Sequence, residues 1–379
     1  MRIAVNTRFL LKGKMEGFGW FTWETIRRIV AAHPEHQFIF FFDRAYDRSF
    51  IAGPNVEAVV LRPQARHPIL FRIWFNLSVT RALKKCKADI FLSPDGYLSL
   101  KTNVPQIAVI HDLNFEHHPE DLPKGARNYL RKYFPLFAKK AAHIITVSEF
   151  SKQDVAKTYG IDPTNITVAH NGSNEIYKPV SESAQQNIRN TISSKEEFFI
   201  YVGSLHARKN IPRLLQAFDE FKSKTNSQTK LVITGQKLWS GQEPETTLKS
   251  LKHANDVIFT GYTEADRLAQ YVASAKALVL VSYFEGFGIP IVEAMQCGTP
   301  VLCGNLTSLP EVAGDAAVLA DPMSVTSIAE GLEKIDNDEI LWKNLRSKGL
   351  ERARLFSWDR SAEIIWTVID KALERNKSK

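Results

Sequence analysis

Short apolar runs rich in β-branched and aromatic residues recur along the chain, with longer amphipathic stretches between them. In the first half the runs are Ile3–Val5, Phe38–Phe42, Val56–Leu61, Ile90–Leu92, Ile107–Ile110, Ile144–Val147 and Ile166–Val168. Helical spacing fills Phe18–Ala32, Ile69–Lys85, Arg127–Ala141 and Glu149–Tyr159. This alternation predicts a mostly parallel sheet covered by helices on both faces. A polar, turn-rich segment follows, HNGSNEIYKPVSESAQQNIRN, part of which reads as a linker.

The alternation then restarts. Strand-like runs lie at Phe198–Val202, Leu231–Thr234, Val257–Phe259, Leu278–Val281, Val301–Leu302 and Ala317–Leu319, with helices at Ile211–Phe221, Glu264–Ala273, Pro290–Gln296 and Val325–Lys334. The fold class is therefore α/β, with two doubly wound, Rossmann-like domains in tandem. The expected domains are residues 1–175 and 176–356. A last helix, about Trp358–Leu373 within 357–379, is expected to pack back across the first domain. Two such domains make a cleft between sheet edges, and ligands of doubly wound folds sit beyond the carboxyl ends of strands.

Composition narrows the class. With 379 residues and 44% hydrophobic content, the chain is long enough for two cores. The longest apolar run, Tyr271–Phe284, is broken by Lys276 and is too short to cross a bilayer. The first residues, MRIAVN, read as a strand and lack the charged-then-apolar pattern of a secretory leader. Three scattered cysteines, Cys86, Cys297 and Cys303, argue against a disulfide framework and for a reducing cytosol. Residues 1–175 carry 24 Lys+Arg against 16 Asp+Glu, and the remainder carries 25 of each, so the whole excess of +8 lies in the first half. A basic half suits an anionic partner or simply a soluble face. No motif supports a nucleic-acid partner.

Four stretches carry candidate chemistry, each just after an expected strand. In SYFEGFGIPIVEAMQ, Pro290 suits a first helical position, and the N–H groups of Phe287, Gly288 and Ile289 lie where an anion meets a helix N-terminus. Glu285 falls in the loop and Glu293 about one turn into the helix. Two carboxylates beside an anion site suit an alcohol-rich ligand that carries phosphate, such as a nucleotide sugar. Glu293 would accept from ribose hydroxyls and Glu285 from the sugar. The plainer reading is a Gly-rich loop with two ordinary acids. In YVGSLHARKN, Arg208 and Lys209 precede a helix and would form a diphosphate clamp, although two solvated bases at a loop are the commoner case. In KMEGFGWFTWE, Gly17 and Gly19 are expected in a loop whose backbone approaches a phosphate; Thr22 replaces the third glycine of a dinucleotide fingerprint. In VIHDLNFEHHPE, His111 follows a strand and would bond a sugar hydroxyl. A metal cluster of His111, Asp112, His117 and His118 matches no ligand spacing, and His117 and His118 read as loop histidines. The acids of DND, Asp336 and Asp338, read as a solvated turn.

Together these motifs resemble the retaining glycosyltransferases of family 4, which have the GT-B fold. The most specific part is FEGFGIPIVEAMQCGTPVLCGNLTSLPEVAGDAAVLADP, residues 284–322, similar to the family's E-x7-E region and the segment after it. VGSLHARKN, HDLNFEHHPE, VSEFSKQDV and NGSNEIYKP follow the family's order. The resemblance implies that Glu285 bonds the donor sugar, Glu293 the ribose, and Arg208 and Lys209 the diphosphate. It further implies that Gly17 and Gly19 meet the phosphates, that His111 touches the transferred sugar, and that Tyr262 contacts the base. Many members carry Arg directly after the glycine of the phosphate loop. Here that position is Ser204, and Arg208 is the candidate replacement. No cofactor and no obligatory metal are implied, since cations and helix dipoles do that work, and retention by front-face attack needs no side-chain nucleophile.

The leading expectation is a cytoplasmic hexosyltransferase moving sugar from a nucleotide sugar to a glycan or lipid-linked acceptor. A peripheral contact with the anionic inner face of the membrane is a further reading. It rests on KGARNYLRKYFPLFAKK, residues 124–140, where bases interleave with aromatics. A helix packed on its own sheet with a basic outer face is the plainer reading of that segment. Alternatives are a same-fold sugar-nucleotide epimerase or phosphorylase, both disfavoured by the E-x7-E region, and a non-catalytic carbohydrate-binding relative, which has less need of a diphosphate clamp.

Overall fold

The computed structural model describes residues 1–236 and 243–377. The chain divides into two compact units: Met1–Asn171 with Ser357–Lys379, and Gly172–Phe356.

Unit 1 holds seven strands: β1 Arg2–Asn6, β2 Gln37–Phe42, β3 Val56–Val60, β4 Ile90–Ser93, β5 Gln106–Ile110, β6 His143–Thr146 and β7 Ile166–Val168. They form one parallel sheet in the order β3-β2-β1-β4-β5-β6-β7. Its helices up to Asn171 are α1 Gly17–Ala32, α2 Pro68–Ile73, α3 Thr80–Lys85, α4 Asn114–His117, α5 Lys124–Lys140 and α6 Glu149–Tyr159. One core packs Ala108, Ile110, Ile144 and Ile166 against Phe134, Phe137 and Val155. A second packs Ala4, Ile39, Phe41 and Phe91 against Trp74, Phe75, Val79 and Leu83. Burial on both faces explains why these strands read as unbroken apolar runs.

Unit 2 contains α7 Glu182–Ile192, β8 Phe198–Val202, α8 Ile211–Thr225, β9 Lys230–Thr234, α9 Glu243–Ser250, β10 Val257–Gly261, α10 Ala265–Ser274 and β11 Ala277–Leu280. It continues with α11 Ile289–Gln296, β12 Val301–Gly304, α12 Leu309–Ala313, β13 Ala317–Ala320, α13 Val325–Asn337 and α14 Glu339–Ala353. Its sheet is parallel, in the order β10-β9-β8-β11-β12-β13. Each sheet thus reverses its winding once, between β1 and β4 in unit 1 and between β8 and β11 in unit 2. The carboxyl ends of those paired strands are where such folds hold ligands.

The last helix, α15 Trp358–Lys377, belongs to unit 1 and packs on α1. Trp358 meets Phe21 edge to face at 6.1 Å, and Asp359 accepts from Arg28 Nε at 2.6 Å.

Four local expectations need correction. The stretch 69–85 is not one helix: α2 and α3 flank a π-helical turn at Trp74–Val79. The widened turn puts the neighbouring bulky rings of Trp74 and Phe75 both into the core, and Trp74 Nε1 donates to the Leu61 carbonyl at 3.0 Å. The supposed linker yields α7 from Glu182 onward, because the Ser181 hydroxyl caps the helix by accepting from Ala184 N–H. Gly17 and Gly19 lie in the first turn of α1, not in a loop before it. Asp336 is not solvated: its carboxylate is 7% exposed and lies 3.0 Å from Lys276 Nζ, and Thr229 Oγ1 donates to it at 2.9 Å. Asp338 caps α14 through Leu341 N–H.

Candidate active site

In unit 2 the loop after β11 and the turn after β8 meet. Glu285 lies on the first, with a side chain only 6% exposed. Arg208 and Lys209 lie on the second, in a single 3-10 turn before α8. Arg208 Nη1 donates to Glu285 Oε2 at 2.6 Å and to the Phe284 carbonyl at 2.9 Å, and Lys209 Nζ donates to Glu285 Oε1. Burial pushes the Glu285 pKa up, but the two cations and their hydrogen bonds outweigh it and bring the value down to about 2. One carboxylate against two cations leaves the cluster with a net positive charge.

Backbone geometry fixes the cluster. Tyr283 N–H donates to the Arg208 carbonyl at 3.0 Å, tying the two loops together. The buried Asn210 adopts φ +63° and donates Nδ2–H to the carbonyls of Val281 and Pro322. Ser308 Oγ donates to the Glu285 carbonyl at 2.9 Å, and Glu285 N–H donates to Thr307 Oγ1 at 3.2 Å. Ser204, at the position where an arginine was expected, offers its carbonyl to the Tyr201 hydroxyl at 3.0 Å.

Gly288 opens α11 with φ +98°, and a Cβ there would come within 2.8 Å of Leu309 Cδ2. Glycine is required on both counts. Pro290 follows in the first turn. Phe287 and Ile289 flank this turn, so the three expected anion-binding positions do lie at a helix N-terminus. Glu293, one turn further, is half-buried beside the Tyr177 phenol. No cation among the described residues offsets its loss of hydration, which raises its pKa to about 7. Tyr262 follows β10 and is 53% exposed, open to stacking.

In unit 1, His111 follows β5 and is half-buried between Phe18 and Phe21, whose rings meet it edge-on at 4.6 and 4.9 Å. Its Nε2–H donates to the Pro94 carbonyl at 2.8 Å. Burial lowers its pKa, so the imidazole is neutral and Nδ1 is the acceptor. Gly17, at the start of α1, has open space where a Cβ would stand. At Gly19 a Cβ would meet the Phe9 carbonyl at 2.8 Å, so this glycine is needed for packing.

The histidines near His111 do not gather as ligands. His117 bonds Asp154 at 2.8 Å and His118 lies 3.4 Å from Glu120. Elsewhere, His33, Glu35 and His36 bring their ligating atoms within 4.8 Å. There the carboxylate pairs with both imidazoles and both rings stack on Trp366, an arrangement complete without an ion.

Pattern reading missed a buried ion pair at the β1–β4 switch point. Arg8 Nε lies 2.5 Å from Asp95 Oδ2, with both side chains under 5% exposed, and the guanidinium sits 4.6 Å from the ring centres of Phe9 and Tyr97. The available signal was a charge directly after each strand, in NTRF and SPDGY.

The two units with their switch-point clusters define a two-domain Rossmann-like glycosyltransferase of the GT-B class. The description "Glycosyltransferase Family 4" matches residues 15–175, and "Glycosyl transferases group 1" matches 183–352. The chain belongs to this family of enzymes. It is 29% identical to O-antigen chain mannosyltransferase B of Escherichia coli over 92% of this chain and 94% of that protein. It is 27% identical to the O-antigen chain mannosyltransferase RfbU of Salmonella typhimurium, over 76% of each. Among solved structures, Anabaena HepE in complex with UDP and glucose superposes with a TM-score of 0.75 at 19% identity, covering 98% of this chain and 99% of that one.

Proposed function

We propose that this enzyme transfers a hexose, with retention, from a nucleoside diphosphate sugar to a glycan or lipid-linked acceptor in cell-surface polysaccharide synthesis. The observation that carries the reading is the Glu285–Arg208–Lys209 cluster: a fixed carboxylate for sugar hydroxyls beside a net positive charge for a diphosphate. The names of the two curated relatives make mannose the sugar to test first, with GDP-mannose and UDP-hexoses both in the panel.

In this reading the bond from C1 to the diphosphate oxygen breaks while a bond from C1 to the acceptor oxygen forms on the same face. The acceptor proton passes to the departing phosphate. Arg208 and Lys209 stabilise the charge growing on that phosphate, aided by the α11 N-terminus. Glu285 takes sugar hydroxyls, Glu293 takes the ribose, Tyr262 stacks on the base, and the neutral His111 accepts from a sugar hydroxyl through Nδ1. Gly17, with open space beside it, suits a close approach of the phosphates. No metal or cofactor is required, because cationic side chains do that work.

The test is nucleoside diphosphate release across a donor panel, with and without EDTA, beside thermal shift. A donor stabilises the native state by mass action. One donor should both raise the melting temperature and be turned over, EDTA should leave the rate unchanged, and Glu285→Ala should cut release by about 10³-fold. No shift with any donor, nor with UDP or GDP, would refute the reading.

No helix among the described residues is long and apolar enough to cross a membrane. The aromatics of α5, Tyr129, Phe134 and Phe137, are buried in the unit 1 core, which leaves Lys124, Arg131, Lys132, Lys139 and Lys140 exposed beside Leu136. A peripheral attachment would therefore be electrostatic. Flotation with anionic liposomes at low salt checks it, and absence of binding removes it.

A further inference from the structure

The buried Arg8–Asp95 pair takes no part in the chemistry above, and such pairs add little stability over apolar side chains of similar size. Asp95 is the third residue of a turn at the end of β4, Ser93-Pro94-Asp95-Gly96, closed by Gly96 N–H on the Ser93 carbonyl at 3.2 Å. The central peptide of that turn carries the Pro94 carbonyl, which accepts from His111 Nε2–H at 2.8 Å. Type I and type II turns differ in which way this peptide faces, and type II needs a positive φ at the third residue. Asp95 has a negative φ, so the turn is not of type II. Aspartate tolerates either sign, so the local sequence does not forbid a flip of the peptide. What resists the flip is the grip on the Asp95 side chain. Its Oδ2 accepts from Arg8 Nε at 2.5 Å, and its Oδ1 accepts from Ser93 Oγ at 3.0 Å and from Tyr97 N–H at 3.2 Å. Asn6 closes the ring: its Nδ2–H donates to Ser93 Oγ at 3.0 Å, and its Oδ1 accepts from Arg8 N–H at 3.3 Å.

We propose that Arg8 and Asp95 are positioning residues that hold the Pro94 carbonyl on His111 and so fix its imidazole as the Nε2–H tautomer, leaving Nδ1 to accept from the sugar hydroxyl. This rests on the reading of His111 given above. A neutral imidazole carries its proton on one nitrogen, and the partner of that nitrogen decides which. A carbonyl can only accept, so Nε2 must donate while Pro94 faces it. A flipped peptide would present the Asp95 N–H instead, which forces the proton onto Nδ1 and removes the acceptor. Nothing else near the ring makes this choice: Phe18 and Phe21 meet it with their rings, and Nδ1 has no hydrogen-bond partner among the described residues. The His111 backbone is held separately, by Ser151 Oγ on its carbonyl at 2.9 Å.

The experiment reads the ring nitrogens of His111 by nitrogen NMR on histidine-labelled full-length protein, with His111→Ala to assign the signals. Wild type should show the Nε2–H tautomer; an Nδ1–H signal there would overturn the inference without any variant. Two variants follow: Asp95→Asn, which keeps the shape and drops the charge, and Arg8→Met combined with Asp95→Asn, which leaves no buried charge unpaired. Both should shift His111 toward Nδ1–H. Release of nucleoside diphosphate from the donor selected above should lose about tenfold in kcat, as expected for one hydrogen bond, with the affinity for free UDP or GDP unchanged. An unshifted Nε2–H signal in the variants, with His111→Ala slowed, would show that the pair only packs, and would overturn this inference alone. An unchanged kcat in His111→Ala would overturn the reading of His111 itself, and the inference with it.

Discussion

Glu285 and Glu293 stand on one loop–helix segment with seven residues between them, yet their surroundings are opposite. Glu285 is clamped by two cations and is ionised down to about pH 2. Glu293 faces a phenol and a buried thiol, and its pKa is raised to about 7. Both carboxylates have lost water; what differs is the charge offered in return. The first is a permanent anion that organises the cations around it. The second responds to protons and to ligand.

The largest break in this contrast is removal of the permanent anion. Glu285→Ala removes the carboxylate that Arg208 and Lys209 share, and turnover should fall by about 10³-fold with a stability loss of about 3 kcal/mol. Diphosphate release and urea titration measure the two effects. Arg208→Ala keeps one cation and should cost about 10²-fold, whereas Ser204→Ala should stay near wild type, because Ser204 contributes a backbone carbonyl. The reverse ranking would show that Arg208 does not replace the family's arginine. Gly288→Ala forces a side chain into φ +98° and against Leu309, and should lose about 1–3 kcal/mol; thermal melts give the number.

The smallest effect is the most specific to the comparison. Ribose hydroxyls favour ionised Glu293, so donor affinity should rise by about tenfold between pH 6 and 8 and release a proton near pH 6.5. Glu293→Gln should flatten that profile. Stability runs the other way for this group. Its pKa is raised, so the folded chain keeps a proton that the unfolded chain sheds near the ordinary value of 4.5. Its contribution therefore falls as pH climbs from there to about 7. The lowered pKa of Glu285 gives a contribution present above 4.5 and lost as pH falls toward 2.

Every expected strand was found: the central ones are buried on both faces and apolar throughout, and the edge strands β3 and β10, though partly exposed, keep β-branched and aromatic residues. The loop–helix at Gly288 and Pro290 was equally legible, since both residues answer to local backbone geometry. What escaped depends on distant partners. Arg8 finds Asp95 across 87 positions and Arg208 finds Glu285 across 77. Each follows a strand, a signal that marks the position but does not name the partner. Tyr177 lies in NGSNEIYKP, which the family resemblance marked, but its burial had no sign in that polar, turn-rich stretch. Gly17 and Gly19 were misplaced because Glu16 caps α1 with no side-chain hydrogen bond, so no Ser, Thr, Asp or Asn marked the start.

Because α15 belongs to unit 1, the chain opens that unit, builds the other, and only then supplies the helix that covers α1. On the ribosome, unit 1 therefore starts first and finishes last, while unit 2 has all its residues some twenty positions earlier. Vectorial synthesis usually favours the leading domain; here the insertion reverses the order. A chain stopped at Phe356 should yield a protease-resistant unit 2 joined to a digestible unit 1, and protection of both would show that α15 is dispensable for cotranslational folding.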